Sequence, residues 1–306
     1  MILSIIIVNY KTPQLVLQCI KSIYNTFTEK DTYEIIVVDN NSQDDSEQAV
    51  TAIFKKIIWI NKNENDGFGR ANNIGIKASK GDCILLLNSD IIVCENTINE
   101  CLLEIKSKKH IGALGCLLVN ENGTFQKSTY EIASLRSLLD NNLFFNYFIK
   151  AKEAKKEAIM GSFMLIPKSV FEECGLFDPD FFMYSEELEL CFRISKNGYE
   201  IKYFDKVKAI HKHQGSQIDK NWNIKQRYLS NALLYYKTRG LFIYFLYHII
   251  FILNIVSNFF AMWFLDSNYR KDFYFASKGY FSSMFYYFVI PFIYSRKIGN
   301  GKKLLR

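Results

Sequence analysis

Residues 85–90 read Leu85-Leu86-Leu87-Asn88-Ser89-Asp90, an apolar run that ends abruptly in three polar side chains. Such a run predicts a strand buried on both faces, with the polar residues at its carboxyl end. Ligands of open α/β sheets bind at that end of the strands. Asp90 could hold a divalent cation against a diphosphate there, although the triplet alone is more typical of a simple turn.

The alternation of strand-like and helix-like segments around this run predicts the fold class. Apolar runs at 2–8, 33–38, 57–60, 84–87 and 112–119 alternate with helical segments that end near residues 27, 55, 78 and 107. We therefore expect an α/β fold with a doubly wound, mostly parallel sheet. Asn9 and Asp39 end two strands as Asp90 ends a third, and this convergence favours a nucleotide site over isolated turns.

A segment with three glycines follows the third strand, at residues 65–75. Gly67 permits a close approach of the backbone to a ligand at the start of a helix. Arg70 and Asn73 have side chains that can reach a base or a phosphate. The spacing is not GxGxxG, so a solvated helix start explains the segment equally well.

The chain leaves the α/β rhythm after the fifth strand. Asn120-Glu121-Asn122-Gly123 predicts a hairpin turn. Residues 131–158 form an insertion, which we interpret either as a lid or acceptor contact or as a surface decoration. The strand expected at 158–167 is interrupted by the small pair Gly161-Ser162.

Three glutamates lie within four residues at the start of a later helix. Ser185 is a typical N-cap, and acidic residues in a first helical turn are favourable. Glu186, Glu187 and Glu189 exceed what capping requires, although a helix start alone explains the cluster about equally well. Glu186 and Glu189 share one helix face, whereas Glu187 points elsewhere.

Two histidines, His211 and His213, follow a further short strand and lie among Lys, Gln and Gly. A single histidine would more often be structural. Two in this setting suggest a ligand or phosphate contact.

Charge is distributed unevenly along the chain of 306 residues, whose net charge is +7. Residues 196–306 carry 18 Lys and Arg against 5 Asp and Glu, whereas residues 1–195 carry 20 against 26. The basic charges flank long apolar runs, so we expect an anionic membrane surface as partner and no nucleic acid. Seven cysteines without a CxxC pair indicate reduced core residues of a cytosolic protein. The N-terminus lacks a basic region and is typical of a strand, not a signal peptide.

The basic C-terminal part contains two aromatic, apolar runs. Residues 241–265 form an almost uncharged run of 25 residues, long enough to cross a bilayer as a helix, and 273–294 form the second. Polar side chains recur on one face of the first run, at Tyr244, Tyr247, His248, Asn254 and Asn258. This stripe favours a helix lying in the membrane interface or packed on a partner. We expect residues 237–306 to anchor on one leaflet in preference to spanning, and a homo-oligomeric interface remains a third interpretation.

Several of these motifs together resemble one enzyme family. They are Ile7-Val8-Asn9-Tyr10, Val37-Val38-Asp39-Asn40-Asn41-Ser42, 65–73, Leu87-Asn88-Ser89-Asp90, Gly161-Ser162 and 175–193. In this order, over about residues 1–216, they resemble the bacterial family-two inverting glycosyltransferases. The Asn-x-Asp motif and the Gly-x-Phe-Asp pattern resemble the rhamnosyltransferase-like branch. The resemblance implies the GT-A fold.

The resemblance also implies roles for individual residues. Asp39 would contact the nucleotide base, and Asp90 with His211 would hold the Mg²⁺ or Mn²⁺ that bridges the donor diphosphate. The donor-binding set as a whole would be Val8, Asn9, Tyr10, Asp39, Asn41, Gly67, Arg70, Asn73, Asn88, Ser89 and Asp90. The acceptor side would comprise Gly161, Ser162, Asp178, Tyr184 and Glu186.

The expected general base departs from the family pattern. Glu187 occupies the position of the aspartate in the family's Glu-Asp pair, and Glu189 another aspartate position. The extra methylene moves the carboxylate by roughly 1.5 Å, which matters to a base that must lie within about 3 Å of its proton. Glu186 and Glu189 therefore remain alternates to Glu187.

The working hypothesis is an inverting, metal-dependent glycosyltransferase at the cytoplasmic face of a bacterial inner membrane. It would move a sugar, with rhamnose a candidate, from a dTDP- or UDP-linked donor to a lipid-linked or polysaccharide acceptor of a surface glycan. Residues 1–222 would form the GT-A domain, with a donor half at 1–120 and a catalytic half at 121–222, and 223–306 the membrane-associating tail. The alternatives are a sugar nucleotidyltransferase and an inactive nucleotide-sugar-binding scaffold.

Overall fold

A computed structural model describes residues 3–27, 32–133, 157–212, 220–261, 277–278, 280–281, 283–294, 296–297 and 299. Most of the predicted insertion, His213 and much of the second aromatic run lie outside the described residues. The chain divides into two compact units. Unit 1 comprises 1–130, 156–177 and 190–217, and unit 2 comprises 131–155, 178–189 and 218–306.

The strands alternate with helices as the sequence predicts for unit 1. The strands are β1 (Leu3–Asn9), β2 (Tyr33–Asp39), β3 (Ile58–Asn61), β4 (Cys83–Asn88), β5 (Ile91–Val93), β6 (Ile111–Val119), β7 (Phe125–Gln126), β8 (Thr129–Tyr130), β9 (Ala158–Ile159), β10 (Phe163–Pro167) and β11 (Glu200–His211). The helices are α1 (Pro13–Thr26), α2 (Ser46–Ile53), α3 (Phe68–Ala78), α4 (Thr97–Ser107), α5 (Lys168–Cys174), α6 (Glu186–Lys196), α7 (Lys220–Arg239), α8 (Leu241–Ala261) and α9 (Met284–Ile293).

The main sheet is mixed, which corrects the expectation of a mostly parallel one. Its strand order is β3-β2-β1-β4-β10-β6-β11-β5, with β7 paired to β6. The first four strands are parallel, but β10 runs antiparallel between β4 and β6. A strand buried on both faces is a continuous apolar run in either direction, so the sequence of β10 does not reveal its orientation.

The core of unit 1 forms around β1, β2 and β4, whose central residues are fully buried. Helix α1 packs on this sheet through Val16, Ile20 and Ile23. Helix α3 approaches β1 so closely that a Cβ at Gly75 would lie 2.5 Å from Ile6. Close packing of this kind fixes the strand ends that carry the polar residues.

The predicted turn at residues 120–123 is confirmed. The backbone N–H of Asn120 donates to Thr124 O at 2.9 Å, and Gly123 adopts φ +79°, which favours glycine. The turn returns the chain as β7, antiparallel to β6. All seven cysteines are free thiols, and six of them are buried.

Helices α7, α8 and α9 belong to unit 2, and the predicted boundary after residue 222 falls inside α7. The polar stripe of α8 faces inward, because Tyr244, Tyr247 and Asn254 are buried. Tyr247 packs on Tyr235 with ring centroids 4.4 Å apart. In the part of the chain that the structure describes, no helix is both long and apolar enough to cross a membrane.

Candidate functional site

Asp39 lies at the carboxyl end of β2, in register with Asn9 at the end of β1. Asn9 Nδ2 donates to Asp39 Oδ1 at 2.7 Å, and the Ser42 hydroxyl donates to the same oxygen at 2.6 Å. Asn9 is fully buried, so its side chain holds Asp39 and does not itself offer a free group to a ligand. The neighbouring Val8 and Tyr10 are partly exposed at this strand end.

A chain of hydroxyl groups connects this site to the Asn-Ser-Asp motif. Thr12 occupies the N-cap position of α1, but its hydroxyl donates to Asn9 Oδ1 at 2.8 Å instead of capping the helix. Ser89 Oγ lies 2.9 Å from Thr12 Oγ1. Because the Thr12 proton is already donated to Asn9, Ser89 must be the donor in this pair. The ends of β1, β2 and β4 are therefore one buried hydrogen-bonded network.

A surface pocket of ≈ 210 Å³ opens beside Asp39. Asn41, Trp59 and Asn61 are among its lining residues, and Asn41 adopts the left-handed φ of +65°. Carboxylates also line it, which suits the N–H and hydroxyl donors of a base or ribose better than the negative charge of a phosphate. The pocket is a candidate site for the nucleoside part of a donor.

The loop before α3 is held by hydrogen bonds within unit 1. Gly67 takes φ +84° at the helix N-cap, a conformation that favours glycine. Arg70 Nη1 lies 3.8 Å from Asp66 Oδ1, so the two side chains form an ion pair. Asn73 exchanges two hydrogen bonds with the backbone of Phe177, at 2.8 and 3.0 Å, so its amide ties α3 to the segment after α5. Its predicted contact with a donor would need this pair to open.

The structure brings Asp90 and His211 together. His211 Nε2 lies 3.2 Å from Asp90 Oδ1, and both side chains are buried. The other ring nitrogen, Nδ1, lies 2.8 Å from Gln126 Nε2. Among the described residues there is no cluster of three or more His, Cys, Asp and Glu side chains that could hold a metal.

Two protein ligands nevertheless fit the expected cation. Mg²⁺ and Mn²⁺ at phosphate sites are typically held by one or two side chains, with phosphates and waters completing the coordination. A carboxylate oxygen and an imidazole nitrogen converging at 3.2 Å form such a partial site. Asp90 and His211 would hold the cation.

Gly161 and Ser162 lie beside the Asn-Ser-Asp motif in unit 1. The Asn88 N–H donates to Ser162 O at 3.1 Å, so the break between β9 and β10 is joined to the end of β4. Ser162 Oγ is buried and has no hydrogen-bond partner within the described residues. An unsatisfied buried hydroxyl is typical of a position that bonds a ligand or water.

Asp178 has a structural setting in unit 2. Its carboxylate accepts from Lys237 Nζ at 2.6 Å and from the Gly299 N–H at 3.1 Å. Lys237 also donates to Asp180 at 2.7 Å, and all three side chains are buried. Asp178 therefore fixes the loop before the glutamates and does not present a free carboxylate on the expected acceptor side.

Tyr184 and Ser185 both have left-handed backbone conformations, with φ +70° and +67°, directly before α6. Conformations of this kind cost about 1–3 kcal/mol each and persist only where their surroundings impose them. Tyr184 Oη donates to Asn223 at 2.6 Å, and Ser185 Oγ donates to Asn231 at 2.8 Å. The Ser185 hydroxyl thus binds α7 and does not cap α6 as the sequence predicted.

The three glutamates of α6 differ in their surroundings. Glu186 is 3% exposed, and its Oε2 has no hydrogen-bond partner within the described ranges. Burial, and then the charge of Glu187, raises the pKa of Glu186 well above its usual range. Glu189 is also buried. Glu187 is half-buried. Desolvation raises its pKa to about 7, although the positive charge of Arg227 acts to lower it.

These pKa values separate the candidates for a general base. A base works best when its pKa lies near the operating pH, so that it is ionised yet still basic. Glu187 meets this condition, whereas burial and the charge of Glu187 shift the pKa of Glu186 well above its usual range and so favour its neutral form. Glu187 is therefore the strongest candidate of the cluster.

Helix α7 holds the glutamate segment in place, a role that its sequence alone does not reveal. Ser230 donates to Met183 O at 2.7 Å, in addition to the contacts of Asn223, Asn231 and Lys237 described above. The recurrence of these residues at helical spacing was a detectable signal, but a polar stripe is equally typical of a solvent-facing helix.

Comparison with known proteins gives a consistent result. The sequence model of "Glycosyl transferase family 2" matches residues 4–175. The chain is 30% identical to low-salt glycan biosynthesis hexosyltransferase Agl10 of Haloferax volcanii, over 68% of this chain and 66% of that protein. It is 30% identical to rhamnosyltransferase WbbL of Escherichia coli K12, over 47% of this chain and 60% of that protein. The matches thus span less than two thirds of each relative.

A solved structure resembles the fold over nearly the whole chain. It is that of the mannosyltransferase PcManGT from Pyrobaculum calidifontis in complex with GDP-Man and Mn²⁺. The TM-score is 0.62 at 13% identity, covering 92% of this chain and 86% of that one. At this identity the likeness establishes the fold alone.

Proposed function

This chain belongs to glycosyl transferase family 2, and we propose that it transfers a sugar from a nucleoside diphosphate donor to a hydroxyl group, with inversion at the anomeric carbon. Its α/β sheet is GT-A-like. The observation that carries the proposal is the buried network that joins Asp39 to Ser89 at the strand ends beside Asp90. Asp39, in this network, and Asp90, beside it, are two carboxylates at the strand ends where α/β folds bind ligands.

The donor binds to the strand ends of unit 1 in this proposal. Asp39 and Asn41 accept hydrogen bonds from the base or ribose in the adjoining pocket, which supports a nucleoside there. Ser89 and Asp90 face the diphosphate, and Ser162 offers a hydroxyl that has no hydrogen-bond partner among the described residues, near the same strand end. The donor is dTDP- or UDP-linked, with rhamnose one candidate sugar, a choice supported by the similarity to the rhamnosyltransferase.

Asp90 and His211 hold Mg²⁺ or Mn²⁺ in this proposal. When bound, the cation neutralises the negative charge that develops on the departing diphosphate. The chain's own part is to fix the two ligands. Pairing of β11 with β5 sets His211 opposite Ile91, and the Lys212 N–H donates to Asp90 O at 3.0 Å.

Glu187 takes the proton of the acceptor hydroxyl as it attacks. A pKa of about 7 leaves a substantial ionised fraction at neutral pH. Arg227 favours this ionised form. Its guanidinium also lies over the Tyr184 ring at 4.8 Å, so the same residue supports the strained turn before α6.

We further propose a lipid-linked or polysaccharide acceptor at the cytoplasmic face of a bacterial inner membrane. Support comes from the outward face of α8, where the large exposed apolar side chains include Phe242 at 78% and Leu253 at 58%. Exposed apolar faces of this extent are typical of interaction sites with membranes or proteins. Free thiols throughout the chain fit a reducing compartment.

The test is release of nucleoside diphosphate from a panel of nucleotide sugars, with Mn²⁺, Mg²⁺ or EDTA. We expect slow, metal-dependent hydrolysis of one donor, and acceleration when lipid-linked acceptors are added. Release of pyrophosphate would instead indicate a nucleotidyltransferase. Tight donor binding without turnover, even with acceptors present, would leave only the scaffold interpretation.

A further inference from the structure

Gln126 makes a contact with His211 that the proposed reaction leaves unexplained. It lies at the end of β7, which the turn at 120–123 returns along β6. Its Nε2 lies 2.8 Å from His211 Nδ1, and its Oε1 is buried without a hydrogen-bond partner in the described part of the chain. Unsatisfied buried amide oxygens are rare, so this amide invites a functional explanation.

Asp90, His211 and Gln126 form a buried row of three side chains. His211 lies between the other two, with Nε2 towards Asp90 Oδ1 at 3.2 Å and Nδ1 towards Gln126. Each of the three residues is at most 7% exposed. Burial limits the access of water, so Asp90 and Gln126, on either side of the ring, both influence which ring nitrogen carries the proton.

In one orientation of the Gln126 amide, His211 and Asp90 are hydrogen-bonded to each other and leave no site for a cation, and we call this arrangement closed. When its Nε2 donates to His211 Nδ1, a neutral ring carries its only proton on Nε2. The N–H at His211 Nε2 then donates to Asp90, so this nitrogen has no lone pair left for a cation. This orientation leaves Gln126 Oε1 unsatisfied, as observed.

The opposite orientation opens the pair to a cation. Rotation of the amide by about 180° exchanges oxygen and nitrogen at nearly the same positions. Gln126 Oε1 then accepts a hydrogen bond from the N–H at His211 Nδ1. His211 Nε2, which no longer carries a proton, presents its lone pair beside the Asp90 carboxylate. Metal-ligating histidines typically have their second nitrogen held in this way by an acceptor.

We propose that Gln126 is a positioning residue that selects the His211 tautomer and thereby switches the Asp90–His211 pair between a closed hydrogen bond and an open cation site. The inference rests on the metal use proposed above. It makes the affinity for the cation depend on a residue that does not touch the cation.

The test measures cation binding directly, by electron paramagnetic resonance of free Mn²⁺ titrated with the full chain. Gln126→Leu cannot accept from Nδ1, so we expect its Mn²⁺ affinity to fall by about 10- to 100-fold. Gln126→Glu can only accept, so it should retain or exceed the wild-type affinity. Gln14→Leu, at an exposed position of α1, is the matched control, and thermal melting without metal checks folding.

A second readout is independent of the variants' stability. The ¹⁵N shifts of His211 in the wild-type chain should report a proton on Nε2 without cation and on Nδ1 with saturating Mg²⁺. A proton that stays on Nε2, or Gln126→Leu binding Mn²⁺ as the wild type does while Asp90→Asn loses binding, would overturn this inference and leave the proposed metal site intact. A wild-type chain that binds no Mn²⁺ even with a nucleoside diphosphate present would overturn both.

Discussion

His211 Nε2 and Asp90 Oδ1 lie 3.2 Å apart because two strands of the sheet place them there. β11 pairs antiparallel with β5, and the register sets His211 opposite Ile91, next to Asp90. The Lys212 N–H then donates to Asp90 O at 3.0 Å. Backbone pairing therefore brings together two polar residues from distant parts of the chain, the pair that we propose to hold the cation.

Asp90→Asn should strongly lower the rate of metal-dependent release of nucleoside diphosphate. The amide lacks the charge that holds a divalent cation, and we expect a loss of about 100- to 1,000-fold, the usual cost of removing one electrostatic stabiliser of the departing charge. Asp205→Asn, an exposed carboxylate of β11, is the matched control and should keep full activity. Equal rates for the two variants in Mn²⁺ would contradict the assigned role of Asp90.

Glu187→Gln and Glu186→Gln should have very different effects on transfer. Loss of a general base costs typically about 100- to 10,000-fold, which we expect for Glu187→Gln only. Burial raises the pKa of Glu186 well above its usual range and so favours its neutral form, and we therefore expect a neutral amide to replace it with little loss of rate. Initial rates at saturating donor measure the difference. If Glu186→Gln were the inactive variant, the base assignment would have to move to that residue.

The rate should rise with pH through about 7 and then level, because the base must be ionised to accept a proton. Arg227→Met removes a positive charge that lowers the pKa of Glu187, so the pKa should rise and the ascending limb should move to higher pH. A profile of kcat/KM between pH 5 and 9 checks the direction. A limb that moved to lower pH would exclude an electrostatic role for Arg227.

The strand ends were the most predictable part of this protein, because continuous apolar runs that stop at Asn9, Asp39 and Asn88 are visible without a structure. The mixed sheet was not predictable, since the apolar sequence of β10 is the same whichever way the strand runs. The hydrogen bonds that Asn9 and Asn73 make within the protein could not be predicted from the sequence either. A side-chain amide that fixes another residue has the same sequence signature as one that binds a ligand.

The role of α7 was hidden for a related reason. Asn223, Asn231 and Lys237 read as the polar face of a surface helix, yet they hold the segment from Asp178 to Ser185. The partners are separated along the chain by dozens of residues. Periodicity identifies a polar face but does not say whether solvent or another buried polar group satisfies it.

Lys237→Met should destabilise the chain strongly, because it leaves Asp178 and Asp180 buried without their cation. Removing one partner from a buried ion pair costs about 3–5 kcal/mol of unfolding free energy. The triple variant Lys237→Met, Asp178→Asn, Asp180→Asn removes all three charges and should recover much of that loss. Urea unfolding at pH 7 measures both. A Lys237→Met chain as stable as the wild type would mean that water, not Lys237, satisfies the two carboxylates.

The outward face of α8 should bind anionic membranes. Its polar stripe is buried, and burial lowers the pKa of His248 to about 4, which leaves the ring neutral. The opposite face exposes apolar side chains, an arrangement that water disfavours and a bilayer interface favours. We expect the full chain to co-sediment with phosphatidylglycerol vesicles more strongly than with phosphatidylcholine vesicles, because residues 196–306 are basic.

The triple variant Phe242→Ser, Ile249→Ser, Leu253→Ser tests the surface directly. Each side chain contributes about 1.5–3 kcal/mol when fully buried in an apolar environment, so together they should lower vesicle binding by more than about 100-fold. Leu103→Ser, at an exposed leucine of α4 in unit 1, is the matched control and should bind as the wild type does. A different outcome would be that the wild-type chain is a dimer, that the triple variant is a monomer, and that vesicle binding is unchanged. The face would then be an interface between copies of the chain, because the three side chains would be needed for dimer formation and not for lipid binding.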